Sequence, residues 1–166
     1  MVRSRDRGQS WLPIATLPHD IRDIGYDARH DRLIIADSDN RMQQCDGPDY
    51  TPIDISERLP RDQHGDKMMV STVAVDPIDP DVLYAGANGT GLFFQRSNGV
   101  ARSLDGGQSW ERLTCNKEYC VGGITGAQMA SAIRVHPVTR FLYVGTDCYG
   151  MWKIAPPLVP KSDVRK

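Results

Sequence analysis

Ser103-Leu104-Asp105-Gly106-Gly107-Gln108-Ser109-Trp110 repeats a pattern already present as Ser4-Arg5-Asp6-Arg7-Gly8-Gln9-Ser10-Trp11. The shared form, S-x-D-x-G-Q-S-W, reads as a tight turn between two antiparallel strands. The Asp accepts hydrogen bonds from turn N–H groups, and the Gly takes a backbone shape that other residues resist. Ser4, Asp6, Gly8 and Trp11 in one copy, and Ser103, Asp105, Gly107 and Trp110 in the other, are therefore structural residues, with Ser and Trp pointing back into the sheet. Cys45-Asp46-Gly47-Pro48-Asp49-Tyr50 is a worn third copy. It keeps the Asp46-Gly47 turn but lacks the Trp, which leaves Tyr50 or Ile53 to take the packing place.

Working outward from these turns, a second repeat appears. Val73-Ala74-Val75-Asp76-Pro77 followed by Val82-Leu83-Tyr84-Ala85-Gly86 matches Ile133-Arg134-Val135-His136-Pro137 followed by Phe141-Leu142-Tyr143-Val144-Gly145. A weaker copy, Ile24-Gly25-Tyr26-Asp27-Ala28 and Leu33-Ile34-Ile35-Ala36-Asp37, precedes both. Their spacing, about 50 and then about 60 residues, is near the period of a propeller blade. Short β-branched and aromatic runs separated by Asp-Pro, Asn-Gly and Asp-Gly argue strands joined by turns. Inner strands A are expected at 22–28, 70–76 and 131–136, and strands B at 32–37, 82–87 and 141–146. Strands C fall at 2–4, 41–45, 100–104 and 151–154, and strands D at 10–14, 50–55 and 109–113. The fold class is all-β, made of about three four-stranded antiparallel blades. Residues 1–155 carry the repeats and 156–166 form a C-terminal tail. Thirteen strands do not close a ring, since propellers use roughly four to eight four-stranded blades. The expectation is a partial propeller: the remainder of a longer one, or a homo-oligomer whose copies share a blade.

The S-x-D-x-G-Q-S-W turns resemble the Asp-box, or BNR, repeat of sialidases, sortilin-type receptors, xyloglucan hydrolases and photosystem assembly factors. The resemblance implies a β-propeller and leaves function open, because the box is a structural fastening. It supplies no catalytic motif. The Arg-Ile-Pro signature and arginine triad of sialidases are absent, with Arg22, Arg134 and Arg140 scattered. Tyr143-Val144-Gly145-Thr146-Asp147-Cys148-Tyr149-Gly150 is similar to the end of the xyloglucan-hydrolase fold, but the Gly-rich segment that carries one of that family's catalytic aspartates is missing.

Composition excludes other classes. Twenty Lys and Arg against 21 Asp and Glu leave a net charge of −1, so no uniform field favours nucleic acid or an anionic membrane. No apolar run approaches the roughly 20 residues of a membrane span, and the first ten residues are polar rather than signal-like. A secreted or periplasmic location is the expectation. Cys115 and Cys120 bracket a loop short enough for a disulfide, while Cys45 and Cys148 would need the fold to bring them together; reduced, packed thiols are the alternative. Neither a zinc-ligand spacing nor a complete calcium loop is present, and no cofactor or metal is expected.

In a propeller the B–C and D–A connections share one end. Asp37, Asp39 and Asp147 are the carboxylates nominated there as catalytic candidates, and a retaining glycosidase would need two of them about 5 Å apart. Phe93, Phe94 and Tyr149 are candidate sugar-stacking surfaces. Lys117 and Tyr119, at the tip of the long Gly-rich D–A segment, are candidate partner contacts. His136, standing where the sister repeat has Asp76, reads as a turn cap. The function expected is a non-catalytic module binding a protein or an oligosaccharide through this end. The alternatives are the C-terminal portion of a xyloglucan-hydrolase-like enzyme with an incomplete site, and a structural scaffold.

Overall fold

Each run of β-branched and aromatic residues becomes a strand within one or two positions of where the alternation places it. The computed structural model describes residues 1–61, 65–88, 99–115, 124–125, 130–147 and 150–157. β1 (Val2–Arg3) and β2 (Leu12–Pro13) form a two-stranded antiparallel sheet. β3 (Ile21–Asp27), β4 (Arg32–Asp37), β5 (Met42–Asp46) and β6 (Thr51–Asp54) form a four-stranded meander, followed by a 3-10 turn at Ser56–Arg58. β7 (Val70–Val75), β8 (Leu83–Ala87), β9 (Val100–Ser103) and β10 (Glu111–Arg112) repeat it. Beyond a short parallel pair, β11 (Thr114–Cys115) with β12 (Ile124–Thr125), come β13 (Ala130–Val135), β14 (Leu142–Thr146) and β15 (Met151–Ile154) as a three-stranded sheet. The parallel pair escaped the sequence reading because a ladder of two residue pairs carries no alternation to detect.

The sheets stack face to face as blades of a partial propeller. The first meander presents Ile34 and Ala36 to Val73, Leu83 and Ala85 of the second. The second presents Ala74 and Tyr84 to Ile133, Leu142 and Val144 of the third sheet. A third cluster, Leu33, Ile35, Cys45 and Tyr50, meets Met1 and Ile14 of the N-terminal hairpin. Each fully buried aliphatic side chain contributes on the order of 1.5–3 kcal/mol, so these interfaces hold the sheets together. Burial pushes the Cys45 thiol up to about 11, and Cys45 is a free cysteine inside the core.

Polar groups tie the sheets at the opposite end from the B–C loops. Asp27, Asp76 and His136 occupy equivalent places where strand A ends. Asp27 accepts the Arg29 and His30 N–H groups at 2.9 and 3.1 Å, and Asp76 those of Ile78 and Asp79 at 2.9 and 3.1 Å. His136 Nδ1 accepts those of Val138 and Thr139 at 3.2 and 3.1 Å, the turn cap expected of it. Arg140 Nε then reaches back one blade to Asp76 at 2.8 Å, and Arg32 Nη1 reaches forward to the Gly106 carbonyl at 3.0 Å.

The two S-x-D-x-G-Q-S-W turns are built alike. Ser4 and Ser103 Oγ accept the N–H of Gly8 and Gly107 at 2.6 and 2.8 Å, and both glycines have φ of +89°, a left-handed shape costly for other residues. Asp6 and Asp105 accept the N–H of Ser10 and Ser109 at 2.8 and 2.9 Å. The hydroxyls of Ser10 and Ser109 donate to the second carboxylate oxygen, and with these backbone bonds they hold both carboxyls at about 2.

Two expectations need correction, and one open choice is settled. Trp11 is 59% exposed instead of packed, because no sheet among the described residues lies before its turn; Trp110 packs against the first core cluster and donates to the Gly107 carbonyl at 3.2 Å. In the worn copy Tyr50 fills the packing place and Ile53 lies exposed. Asp46 does not cap that turn with its carboxylate, which accepts Gln44 Nε2 at 2.9 Å; its carbonyl accepts the Tyr50 N–H, and Gly47 donates its N–H to the Asp31 carbonyl.

Candidate functional site

At the start of each inner strand the register slips by one residue, between Ile21 and Asp23, Val70 and Thr72, and Ala130 and Ala132. Such bulges redirect a side chain out of the regular pleat and are frequent beside functional sites. The residues set free are Arg22, Ser71 and Ser131, all at the B–C end. Arg22 donates to Asn40 Oδ1 at 2.6 Å and to the Ser38 carbonyl at 3.2 Å. Ser71 Oγ donates to the Ala130 carbonyl at 2.9 Å, bridging the second and third sheets, and Ser131 Oγ donates to Asp147.

Just inside this ring the three inner strands share one carboxylate. Asp23 Oδ2, on β3, accepts the Val73 N–H at 3.1 Å, the Thr72 hydroxyl, and Arg134 Nη1 at 3.1 Å. Thr72 Oγ1 in turn accepts the Ile133 N–H at 3.2 Å. One residue from each sheet therefore meets at a junction whose charges are paired. Sequence reading passed over it: the repeat has Asp23, Thr72 and Ala132 at one position, and a polar residue there twice was the available signal.

The nominated carboxylates are placed differently. Asp37 is buried and caps its own loop, accepting the Asp39 and Arg41 N–H groups at 3.0 and 2.9 Å and Gln43 Nε2 at 3.2 Å. Asp39 is half exposed and pairs with His19 at 3.4 Å and Arg41 at 3.5 Å. Asp147, just past β14, accepts Asn88 Nδ2 at 2.8 Å as well as Ser131. Among the described residues no hydrogen bond joins Asp147 to Asp37 or Asp39. Phe93, Phe94, Lys117, Tyr119, Tyr149, Cys120 and Cys148 lie outside the described residues, as does the side chain of Cys115. Among the described residues no three His, Cys, Asp or Glu side chains gather as a metal site.

A concavity of about 340 Å³ lies between the N-terminal hairpin and β3, lined by Val2, Trp11, Ile24, Tyr26, Leu33 and Tyr50 among others. At its rim Asp31 Oδ1 accepts Tyr50 Oη at 2.7 Å, Tyr26 Oη at 2.9 Å and Arg3 Nη1 at 3.3 Å. The Tyr50 hydroxyl, then that of Tyr26, holds the Asp31 carboxyl below the usual range, and donating to Asp31 raises both phenols.

With this geometry in view, comparison with known proteins is informative. The chain is 32% identical over 88 residues to a xyloglucanase of Acetivibrio thermocellus, and 33% identical over 88 residues to a xyloglucanase of a Paenibacillus species. Half the chain is similar to xyloglucanases. That match takes in 51% of this chain but only 10% and 8% of those two proteins. No family model matches. Among solved structures, an ancestral GH74 enzyme superposes over 92% of this chain and 19% of its own, with a TM-score of 0.63 at 13% identity. The extracellular domain assigned to a hybrid two-component system of B. thetaiotaomicron superposes over 87% and 17%, with a TM-score of 0.58 at 13% identity. The structural likenesses show the fold alone, that of propeller-type blades, and the sequence similarity to xyloglucanases spans half of this chain. Among the described residues no helix is long and apolar enough to cross a membrane.

Chemically, the B–C end offers an array of fixed donors and acceptors. Arg22 with Asn40, Asp39 with His19, and Ser131 with Asp147 are held as donor–acceptor pairs.

Proposed function

We propose that the chain is an Asp-box propeller module, exported from the cytoplasm, that binds a β-glucan oligosaccharide of the xyloglucan type through its B–C end without cleaving it. The observation that carries this reading is the convergence of three inner strands on that end. Bulges there turn out Arg22 and Ser131, and the carboxylates serve as hydrogen-bond acceptors. A sugar hydroxyl is met by such paired donor and acceptor edges. Hydrolysis needs instead two carboxylates facing one glycosidic bond, and Asp37 is occupied by its own loop. The match to two xyloglucanases supports the choice of glucan, and the shared turn geometry of Ser4–Trp11 and Ser103–Trp110 supports the Asp-box assignment.

Calorimetric titration with xyloglucan oligosaccharides tests the reading. Saturable binding, weakened about 10-fold or more by Arg22→Ala and accompanied by no new reducing ends, is the expected result. Absence of binding at millimolar oligosaccharide would refute it. The same similarity favours a second reading, part of a hydrolase site; release of reducing ends that stops in Asp147→Ala would establish that one.

A further inference from the structure

Of the three equivalent turns that follow the inner strands, two are capped by carboxylates and the third by an imidazole. Asp27 and Asp76 each accept two backbone N–H groups, as a carboxylate does wherever it is ionised, above about pH 4. His136 accepts those of Val138 and Thr139 at 3.2 and 3.1 Å on Nδ1. It does so only while Nδ1 keeps a lone pair, which puts the single ring proton on Nε2. A second proton has only Nδ1 to go to, and there it turns the acceptor into a donor aimed at two other donors.

Arg140 depends on this turn. Its N–H donates to the His136 carbonyl at 3.0 Å, and its φ of +60° is a left-handed shape uncommon in residues other than glycine. From that position Arg140 Nε donates to Asp76 Oδ2 at 2.8 Å, across the boundary between the third and second sheets. The hold is narrow, because Arg140 Nη2 is buried without a hydrogen-bond partner, 3.9 Å from Asp79. The Asp76 side chain is fully buried. Asp27 draws its counter-charge from Arg32 of its own sheet, at 3.1 Å, whereas Asp76 takes it from the next sheet. A buried carboxylate stripped of its partner is strongly unfavourable, so the second sheet's turn leans on the third's.

We propose that the turn from His136 to Arg140 is a proton-operated latch between the second and third sheets: a neutral imidazole keeps Arg140 on Asp76, and a second proton opens the turn and releases it. An ordinary imidazole charges near pH 6.5. Since the closed turn accepts only the neutral ring, the latch's contribution is present in neutral solution and lost as pH falls through the range where imidazoles charge. The charged and titratable groups around it are Asp76 and Asp79 of the second sheet's turn, Arg29 beside Asp79, the Tyr84 phenol, raised by its burial, and on the third sheet Arg134, bonded to Asp23, and Lys153, 3.9 Å from the centre of the Phe141 ring. Among the described residues none of them ion-pairs with His136, so no carboxylate there holds a second proton on the ring.

The test compares the wild type with His136→Asp, which restores the carboxylate of the sister turns, and His136→Asn, whose carbonyl accepts the same N–H groups and does not titrate. Melting temperature is followed from pH 7.5 to pH 5. The wild type is expected to lose about 2–4 °C more than either variant, the shift that one lost cap makes in a chain of this size. His19, His30 and His64 are common to all three proteins, so the difference isolates His136. In nuclear magnetic resonance spectra of the labelled wild type, the Arg140 Nε–H signal, displaced by its bond to Asp76, is expected to move to the position of a solvated guanidinium with the same midpoint as the His136 ring signals. In both variants it stays in place. Parallel melting profiles for the wild type and the variants would overturn the inference. So would an Arg140 signal that stays in place in the wild type after the His136 ring has charged, which would make His136 a cap without a latch. Should His136→Asp lose the native fold at neutral pH, His136→Asn alone serves as the non-titrating reference.

Discussion

Replacing Gly86 by Ala is expected to destabilise the protein by about 1–3 kcal/mol, the range for overpacking a tight core. A Cβ built at Gly86 would lie 2.6 Å from Thr72 Cγ2, 3.0 Å from Ala130 Cβ and 3.3 Å from Ile133 Cγ2. Carbon atoms attract at about 3.5–4.0 Å, so the first of these contacts is deep in repulsion. The strain has no cheap exit. Thr72 is β-branched and stiff, and its hydroxyl is bonded both to Asp23 and to the Ile133 N–H, so moving the methyl breaks the junction joining three sheets. The backbone is not the obstacle, since Ala36 occupies the equivalent place in the first meander. Gly145 is the internal control: an added Cβ there meets nothing closer than 3.8 Å among the described residues, and Gly145→Ala is expected to be neutral or stabilising by up to about 1 kcal/mol through the unfolded chain. Urea unfolding of both variants decides the matter. Equal midpoints for Gly86→Ala and Gly145→Ala would refute the packing between the second and third sheets described above.

Three further outcomes follow from particular side chains. Trp110→Ala should cost about 2–3 kcal/mol, less than a fully buried tryptophan, and Trp11→Ala under about 1 kcal/mol in dilute solution; similar losses in thermal melts would mean the two turns are packed alike. Because Asp6 and Asp105 are held at about 2, below the ordinary carboxylate value, the folded chain binds fewer protons than the unfolded one in that interval. Their contribution is therefore complete near neutrality and lost as pH falls from about 4 toward 2. Melting temperature followed across that range should fall less steeply in Asp105→Asn than in the wild type, and parallel curves would contradict the assignment. His136→Ala should lose about 1 kcal/mol with the turn cap, while His136→Asp, restoring the residue type of Asp27 and Asp76, should melt like the wild type.

How far the sequence reaches is instructive at individual positions. The strands were legible because alternation and turn chemistry are local, and His136 could be assigned through its register with Asp76. The two tryptophans were indistinguishable in sequence, since both follow the same turn. What separates them is whether another sheet lies across the turn, a tertiary fact. The Asp23 junction joins residues far apart in the chain that only blade stacking brings together, whereas the Asp31 cluster forms inside the first meander from Tyr26 and Tyr50, with Arg3 reaching in from the N-terminal hairpin. Asp37 attracted attention as an acidic loop residue, whereas its geometry is that of a loop cap, the more frequent use of Asp in such loops.

The central claim, that the B–C end binds a xyloglucan-type oligosaccharide and leaves it intact, is tested most directly by nuclear magnetic resonance titration of the isotope-labelled chain. Saturable shifts in the amides of Arg22, Asp39, Ser131 and Asp147, with the sugar's own signals unchanged over days, are the predicted result. Shifts confined to other regions, or none, would contradict the assigned site, and growing signals of new reducing ends would contradict the non-catalytic reading.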